Sequence, residues 1–379
     1  MIDNTRLLQE CMGHGVIRLH DAGILHCPPS PLPPDFDFQK VEGMLLGLAI
    51  GDALGAPTEG MLPGERHTRY GEIRDFLPSG NPDTGAIGAV TDDTQLAFWT
   101  LEQLVIDGGL VPEHLADRLC SGHIYGIGNT VRQFIGRRKD QGLPWQLAGI
   151  DSLGNGALMR IAPVVVPHLQ LPHASLYADA ALDAMVTHNA YGNIATCVAF
   201  VDILWQLLGM RRAPSSDWWA ETFISTARGL EGDTTYAPGM PDVQGYRGPL
   251  WRFAELMCLD ALLNRVPVVD ACNHWGSGAS LLETVPSVLH ILAMYGHDPE
   301  AAIIRAVNDT KDNDTIAAIV GAAVGALHGL AGLPERWLEG LNGRIHADGN
   351  SDVFRLVFRA KQTFWLRHSR MAPSTDSSR

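Results

Sequence analysis

Two stretches of this 379-residue chain carry glycines at a strict spacing of four residues. On an α-helix this spacing places the glycines on one face, where the missing side chains allow another backbone to approach closely. Each glycine inside a helix costs roughly 1 kcal/mol relative to alanine, so such a stripe needs compensating packing. We therefore predict two helices that lie against each other in the middle of the protein. The stripes are Gly43, Gly47, Gly51 and Gly55, and Gly321, Gly325 and Gly329.

Helical periodicity dominates the rest of the chain, and strand signals are few. The helical candidates are separated by Gly, Pro and Asp, which is typical of a mainly α-helical protein. One stretch, 213–248, is predicted to be rich in loops. The predicted helices are Glu42–Leu54, Thr94–Ile106, Pro112–His123, Ser175–Val186, Asn193–Leu208, Leu250–Leu263, Leu281–Met294, Pro299–Val307, Thr315–Leu330 and Val353–Phe364.

The composition excludes some functions. The 42 acidic residues outnumber the 28 Lys and Arg, which gives a formal net charge of −14, and no basic stripe is present. Nucleic-acid binding is therefore not expected. The most membrane-like run, Ile316 to Leu327, is too short to span a bilayer and indicates a buried helix. The six cysteines are scattered and the N-terminus lacks a secretion signal, so we predict a cytoplasmic protein that does not bind membranes.

The two ends of the chain differ from its helical body. Residues 1–37 contain several apolar side chains and then a proline-rich hinge, residues 28–34, so they form an arm that can dock but not fold alone. Residues 38–368 show no compositional break and are predicted to be one catalytic domain. Residues 369–379 are small and polar and are predicted to be a disordered tail.

Three polar clusters stand at the ends of predicted helices, at 56–59, 91–94 and 311–315. Each one alone is explained by helix capping, because Thr, Asp and Asn are favoured there. Together they supply only oxygen ligands, which suit Mg²⁺ or Mn²⁺ rather than zinc. Five converging carboxylates would repel each other unless two divalent cations offset their charge. We therefore prefer a binuclear site formed by Asp92, Asp93, Asp312 and Asp314 with Thr91, Thr315 and Glu59.

An ordered set of short motifs resembles the ADP-ribosylglycohydrolase family, including dinitrogenase-reductase-activating glycohydrolases. The resemblance covers roughly residues 40–332. It implies an all-α fold with two Mg²⁺ or Mn²⁺ ions that cleaves ADP-ribose from modified side chains or small conjugates. The motifs are Gly-Asp-Ala-Leu-Gly-Ala-Pro-Thr-Glu (51–59), Thr-Asp-Asp-Thr (91–94), Gly-Ile-Gly (126–128), Ser-Leu-Gly-Asn-Gly-Ala-Leu-Met-Arg (152–160), Thr-His-Asn (187–189), Gly-Ser-Gly (276–278), Glu-Thr-Val-Pro (283–286) and Asp-Asn-Asp-Thr (312–315).

The resemblance also implies roles for individual residues. The family's metal ligands match Thr91, Asp92, Asp93, Asp312, Asp314 and Thr315. Positions that hold the ribose and diphosphate match Gly126, Gly128, Ser152, Gly154, Asn155, Gly156 and His188. The loop at 154–156 can present backbone N–H groups to a diphosphate without obstruction by side chains. The family's last motif commonly has glycine and threonine where this chain has Lys311 and Asn313, a difference that can alter substrate preference or metal affinity.

The expected reaction is metal-assisted hydrolysis, in which two cations bind the distal ribose hydroxyls, orient C1″ and lower the pKa of a water. Asp92 or Asp312 is expected to activate this water. Glu59 is expected to gate the site or protonate the leaving group. ADP-ribosyl-arginine is the leading substrate because an acidic pocket suits a cationic acceptor; serine-linked or O-acetylated ADP-ribose is the alternative.

The arm has two interpretations. Some bacterial relatives resemble immunity proteins, and an apolar arm at residues 1–37 could enter the cleft of an ADP-ribosyltransferase toxin. Alternatively, the arm packs on its own domain. A toxin-binding family member without catalytic activity is a third hypothesis, which the retention of all six ligand-type residues disfavours.

Overall fold

The computed structural model describes residues 3–78, 86–346 and 352–366. Within these ranges the chain forms seventeen α-helices and no β-strand, so the predicted all-α fold class is confirmed. The tail predicted at 369–379 lies outside the described residues. The α-helices are α1 Thr5–Gly13, α2 Gln39–Gly55, α3 Pro63–Tyr70, α4 Asp92–Asp107, α5 Pro112–Leu119, α6 Asn129–Ile135, α7 Trp145–Ala148, α8 Ser175–Thr187, α9 Tyr191–Gly209, α10 Trp218–Glu231, α11 Leu250–Leu263, α12 Val268–Trp275, α13 Leu281–Tyr295, α14 Pro299–Asp309, α15 Asn313–His328, α16 Glu335–Gly340 and α17 Val353–Ala360.

The two glycine-striped helices, α2 and α15, pack against each other in the core, as the spacing predicts. A Cβ atom added to Gly43 would lie 2.6 Å from the carbonyl oxygen of Gly325, which no side chain tolerates. One turn further along α2, Gly47 faces Gly321 backbone to backbone. Because residue numbers rise along α2 while their partners fall along α15, the two helices are antiparallel. The end of α2 at Gly55 therefore meets the start of α15 at Asp314.

The N-terminal arm packs on the body of its own chain. Leu8, Ile17, Leu19 and Leu25 are all buried in the main hydrophobic core. Burial of this kind stabilises each side chain by about 1.5–3 kcal/mol relative to exposure. Most of the apolar surface in the described part of the arm is thus covered by the helical body.

Polar contacts hold the arm at two further points. The Asn4 side-chain nitrogen donates to Asp179 Oδ1 at 2.7 Å, in a buried position. The backbone nitrogen of Arg18 donates to Asn189 Oδ1 at 2.9 Å, and the Asn189 side-chain nitrogen donates to the Val16 carbonyl at 2.7 Å. The arm therefore touches the chain immediately beside His188, a predicted ligand contact.

One helix boundary was wrong, and one stretch contains a helix that was not predicted. Residues 213–248 are loop on both sides of helix α10, Trp218–Glu231, which buries Trp219, Phe223 and Leu230 at helical spacing. The helix predicted over Pro112–His123 ends at Leu119, since Cys120 begins a turn.

Helix α9, rather than Ile316 to Leu327, is the longest apolar helix. It is long and apolar enough to cross a membrane, but 89% of its most apolar 18-residue window is buried inside the protein. That degree of burial is typical of a core helix in a globular protein.

Candidate active site

A cavity of about 220 Å³ opens where the end of α2, the start of α4 and the start of α15 converge. Twelve of the fourteen predicted site residues line it, and Thr91 and Ser152 are the two that do not. Those two support the wall from behind, as described below. The predicted residues on the wall are Glu59, Asp92, Asp93, Gly126, Gly128, Gly154, Asn155, Gly156, His188, Asp312, Asp314 and Thr315.

Carboxylates crowd one side of this cavity. Asp52, Asp93 and Asp314 bring one oxygen each to within 4.8 Å of one another, and all three residues are buried. Glu59 and Asp312 form a second such set with the same Asp314, and Glu59 is the exposed member. The antiparallel packing of α2 and α15 causes this convergence, because it places the loop that follows α2 beside the first residues of α15.

Asp52 is a central acid that the sequence predictions did not include. Its carboxylate accepts hydrogen bonds from the Thr94 hydroxyl at 2.5 Å and the Thr94 backbone nitrogen at 3.1 Å, as well as from Thr91. It therefore attaches the start of α4 to α2. A sequence signal was present, because Asp52 is the only charged residue between Gly43 and Gly55, and a lone charge in a buried helix needs partners.

Burial and the neighbouring negative charges raise the pKa values of these acids. Burial raises the pKa of Asp93 well above its ordinary value, and the charges of Asp52, Asp92 and Asp312 add to this effect. Burial likewise raises the pKa of Asp314, with further contributions led by Asp93 and Glu59. Proteins retain such costly clusters chiefly where a cation or a proton is to be held.

The cluster fits a hard metal ion. Asp93 Oδ1 is buried and has no hydrogen-bond partner within the residues that the structure describes. A buried carboxylate oxygen without a donor carries a large desolvation cost, which a cation would remove. The donors here are carboxylates, and hard divalent cations prefer oxygen ligands. These acidic residues could therefore hold a metal.

The opposite wall is a loop of small residues, 154–156. The Ser152 hydroxyl accepts from the Gly154 backbone nitrogen at 3.0 Å and lies 2.9 Å from Thr130 Oγ1. The Asn155 side-chain nitrogen reaches across to Asp312 Oδ2 at 2.7 Å. That bond links the loop directly to the acidic side. A Cβ atom on Gly156 would lie 3.3 Å from His188 Nε2, so the imidazole occupies the space beside the loop.

The cavity is also lined by Gly126, whose backbone lies in the left-handed region. Gly126 has φ of +66°, and a Cβ atom there would lie 3.2 Å from Asp92 Oδ1. Both facts favour glycine at this position, because other residues rarely adopt this φ. Asp92 is partly buried, and burial raises its pKa, as do the charges of Asp52 and Glu59.

Behind the site, buried polar side chains support the loop that carries Glu59. The Asn313 side-chain nitrogen donates to Thr58 Oγ1 at 2.9 Å and to the Val307 carbonyl at 3.0 Å. The fully buried Arg66 guanidinium also donates to Thr58 Oγ1, at 3.0 Å. Asn313 thus has a supporting role in this structure, while its neighbour Lys311 is exposed.

Comparison with known proteins decides the family. A sequence model described as ADP-ribosylglycohydrolase matches residues 33–363, most of the chain. The chain belongs to the ADP-ribosylglycohydrolase family. This confirms the resemblance carried by the ordered motifs, and it makes the chain a hydrolase of ADP-ribosyl bonds whose substrates are ADP-ribosylated proteins.

Individual relatives of this ADP-ribosylglycohydrolase span most of its length. An uncharacterized protein of Archaeoglobus fulgidus is 34% identical over 311 residues, covering 81% of this chain and 92% of the relative. The ADP-ribosylarginine hydrolase Tri1 of Pseudomonas putida is 27% identical over 324 residues, covering 81% of this chain and 76% of Tri1. A solved structure titled "ADP-ribosylglycohydrolase-related protein complex" matches with a TM-score of 0.62 and 28% identity, covering 86% of this chain and 96% of that one.

Proposed function

We propose that this protein is a metal-dependent hydrolase that releases ADP-ribose from modified arginine side chains of proteins. The observation that carries the proposal is a single cavity of about 220 Å³ that is lined both by a carboxylate cluster and by the glycine loop 154–156. The cluster suits cations and ribose hydroxyls. The glycines of the loop leave room for a diphosphate without side chains in the way, while the N–H groups of Gly154 and Asn155 already donate to Ser152 Oγ and to the Ala279 carbonyl. One ADP-ribosyl group presents both chemistries at once.

We propose two cations, Mg²⁺ or Mn²⁺, in the cluster. Two acidic sets share Asp314, and each has enough oxygen donors to begin a coordination shell. When bound, such ions would offset most of the negative charge of the acids, hold the distal ribose hydroxyls and lower the pKa of a water. The ligands would be Asp92, Asp93, Asp312, Asp314, Thr91 and Thr315. Asp52, whose carboxylate oxygens accept from Thr91 and Thr94, would hold the start of α4 and so orient these ligands.

The protein's own groups would carry the protons. Glu59 is the exposed acid at the cavity. Partial desolvation of its carboxyl group, together with the charges of Asp312 and Asp52, raises the pKa of Glu59 and favours its protonated form. Glu59 would therefore give its proton to the leaving guanidine nitrogen as the C1″–N bond breaks. The water oxygen bonds to C1″ and its proton passes to Asp92 or Asp312.

Asp92 and Asp312 differ in how they are held. Asp312 accepts a hydrogen bond from the Asn155 side chain, whereas Asp92, which lies against Gly126, accepts from backbone groups that include Gly128. Both carboxylates are therefore oriented, and we propose one of them, Asp92 or Asp312, as the general base. Gly126, Gly128, Ser152, Gly154, Asn155, Gly156 and His188 would form or support the ribose and diphosphate pocket.

The arginine linkage is favoured over serine-linked or O-acetylated ADP-ribose on two grounds. The acidic cavity attracts a cationic guanidinium leaving group. Tri1, which is similar over most of this chain, bears the name ADP-ribosylarginine hydrolase. A housekeeping role on serine-linked or O-acetylated ADP-ribose is the competing proposal.

A role in immunity to an ADP-ribosyltransferase toxin would rest on hydrolysis rather than on the arm. The apolar side chains in the described part of the arm are buried or half-buried against the body, so they do not offer a free surface for blocking a toxin. The remaining parts of the proposal are a single catalytic domain over 38–368 and a cytoplasmic location, which suits six free cysteines.

The test measures release of ADP-ribose from proteins modified on arginine or on serine, with Mg²⁺, with Mn²⁺ and with a chelator. We expect release from arginine that the chelator abolishes and that the double variant Asp92→Ala, Asp93→Ala lacks. Asp202→Ala is the matched control, since this buried aspartate lies at a different cavity. Release only from serine would overturn the linkage, and full activity of the double variant would overturn the metal assignment.

A further inference from the structure

A buried chain of polar groups leads from Arg160 to the cavity wall. The fully buried Arg160 guanidinium pairs with Asp183 and donates to the Asp183 carbonyl at 2.8 Å. It also donates to Thr187 Oγ1 at 3.0 Å. Thr187 Oγ1 in turn lies 2.9 Å from Nδ1 of His188, and both residues are buried. The chain ends at the imidazole that lines the site.

The donors and acceptors of Arg160, Thr187 and His188 fix the direction of each hydrogen bond between them. Arginine is a donor only, so the Thr187 oxygen must accept from it. Among the described residues, the hydroxyl of Thr187 has no hydrogen-bond partner other than Arg160 and His188. The hydroxyl proton can therefore be satisfied only by Nδ1 of His188. The reverse arrangement would bury a hydroxyl proton without an acceptor, which costs free energy.

The imidazole itself is neutral. Burial lowers the pKa of His188 to about 3, and the charge of Arg160 acts in the same direction. Burial raises the pKa of Asp183 to about 6, while Arg160 opposes that rise, so the Arg160–Asp183 pair is ionic at neutral pH. A neutral imidazole that accepts at Nδ1 carries its single proton on Nε2.

We propose that Arg160 and Thr187 are positioning residues that lock His188 in the Nε2-protonated tautomer, so that Nε2–H donates into the cavity. Nε2 has no hydrogen-bond partner within the described part of the chain. It lies beside the glycine loop, 3.5 Å and 3.3 Å from where a Cβ atom would stand on Gly154 and Gly156. A donor at that place complements an anionic oxygen.

This inference rests on the proposed function for the identity of the anionic group, a phosphate or ribose oxygen of ADP-ribose. The tautomer itself does not depend on it. A neutral donor also suits a site that already contains many carboxylates, because it would bind the ligand without being drawn to the acids as a cation would.

The test combines ¹⁵N NMR of histidine-labelled protein with binding of ADP-ribose. His188→Asn serves only to assign the His188 signals. In the full-length wild type we expect a protonated Nε2 and an unprotonated Nδ1 at neutral pH. Thr187→Ser keeps the hydroxyl and should keep both the tautomer and the affinity. Thr187→Val removes the hydroxyl and should lose the tautomer preference and weaken ADP-ribose binding about tenfold.

Two results would overturn the inference. One is a wild-type spectrum in which Nδ1 carries the proton, and this reading stands even if Thr187→Val fails to fold. The other is a folded Thr187→Val protein with the wild-type tautomer and affinity. A wild type with the expected tautomer that hydrolyses no ADP-ribosyl protein would overturn the proposed function and leave the tautomer assignment intact.

Discussion

The carboxylate of Asp52 and the residue Thr91 are joined by three hydrogen bonds. The Thr91 backbone nitrogen lies 3.2 Å from Oδ1 and 3.0 Å from Oδ2, and its hydroxyl donates to Oδ1 at 2.8 Å. Thr91 is also the N-cap of α4 and accepts from the Asp93 backbone nitrogen at 3.3 Å. One side chain on α2 therefore sets where α4 begins and where Asp93 points.

Replacing Asp52 by asparagine should weaken metal binding by about 10–100-fold, the usual effect of losing a group that orients metal ligands. The amide would present a donor to Thr91 or Thr94, which are donors themselves. Titration of Mn²⁺ into the purified protein measures the effect. Asp202→Asn is the control, because Asp202 also accepts several buried hydrogen bonds, from Tyr177 and Thr226 among others. Equal metal affinity in both variants would contradict a role for Asp52.

Because α2 and α15 touch at their glycines, substitution by alanine should destabilise the protein more at a contact glycine than at an exposed one. Gly47→Ala should lower the free energy of unfolding by at least about 2 kcal/mol, because the new methyl group would overlap the backbone of Gly321. Gly64→Ala, in the exposed helix α3 with open space around it, should change stability by less than about 1 kcal/mol. Urea unfolding measures both. Similar losses at the two positions would argue against close packing as the cause.

Metal removal should reverse the pH dependence of stability. Without metal, the raised pKa values of Asp93, Asp314 and Glu59 mean that the folded chain binds more protons than the unfolded chain between their unfolded and folded pKa values. The free energy of unfolding of chelator-treated protein should therefore increase as the pH falls through the raised pKa values of these carboxyl groups toward their ordinary range.

With Mg²⁺ or Mn²⁺ present the trend should be opposite, because protons compete with the cation for the same carboxylates. Urea unfolding at several pH values, with metal and with chelator, gives both slopes. Asp93→Asn should flatten the slope of the chelator-treated protein. Two parallel slopes would show that the carboxylates do not bind the cation.

The arm should behave as part of the folded body. Asn4→Ala should cost about 1–3 kcal/mol of unfolding free energy, because it leaves Asp179 Oδ1 and the Leu110 carbonyl without their buried donor. Arg6→Ala, which removes only an exposed ion pair with Glu10, should cost less than about 1 kcal/mol. An arm that is free to enter a toxin would give no stability loss in either variant.

The helical architecture could be predicted from the sequence because its signals are local. Glycine spacing paired α2 with α15, and helix-end clusters located Asp92 and Asp312 at the cavity. The role of Asp52 was missed because it depends on Thr91 and Thr94, 39 and 42 positions away. Distant partners of this kind leave no periodic trace in the sequence. The bond from Asn155 to Asp312, 157 positions apart, was beyond reach for the same reason.

The glycine contact between α2 and α15 also limits how the two helices can be aligned. The glycines on α2 are four residues apart, which corresponds to about 6 Å along a helix axis. A shift of α15 by four residues along α2 would again place glycine against glycine. It would also move Asp314 away from Glu59, whose carboxylate oxygen now lies within 4.8 Å of an oxygen of Asp314. Only one alignment of the two helices therefore assembles a metal-binding cluster. Substitutions of the contact glycines, even far from the cavity, can misalign the acidic residues that line it.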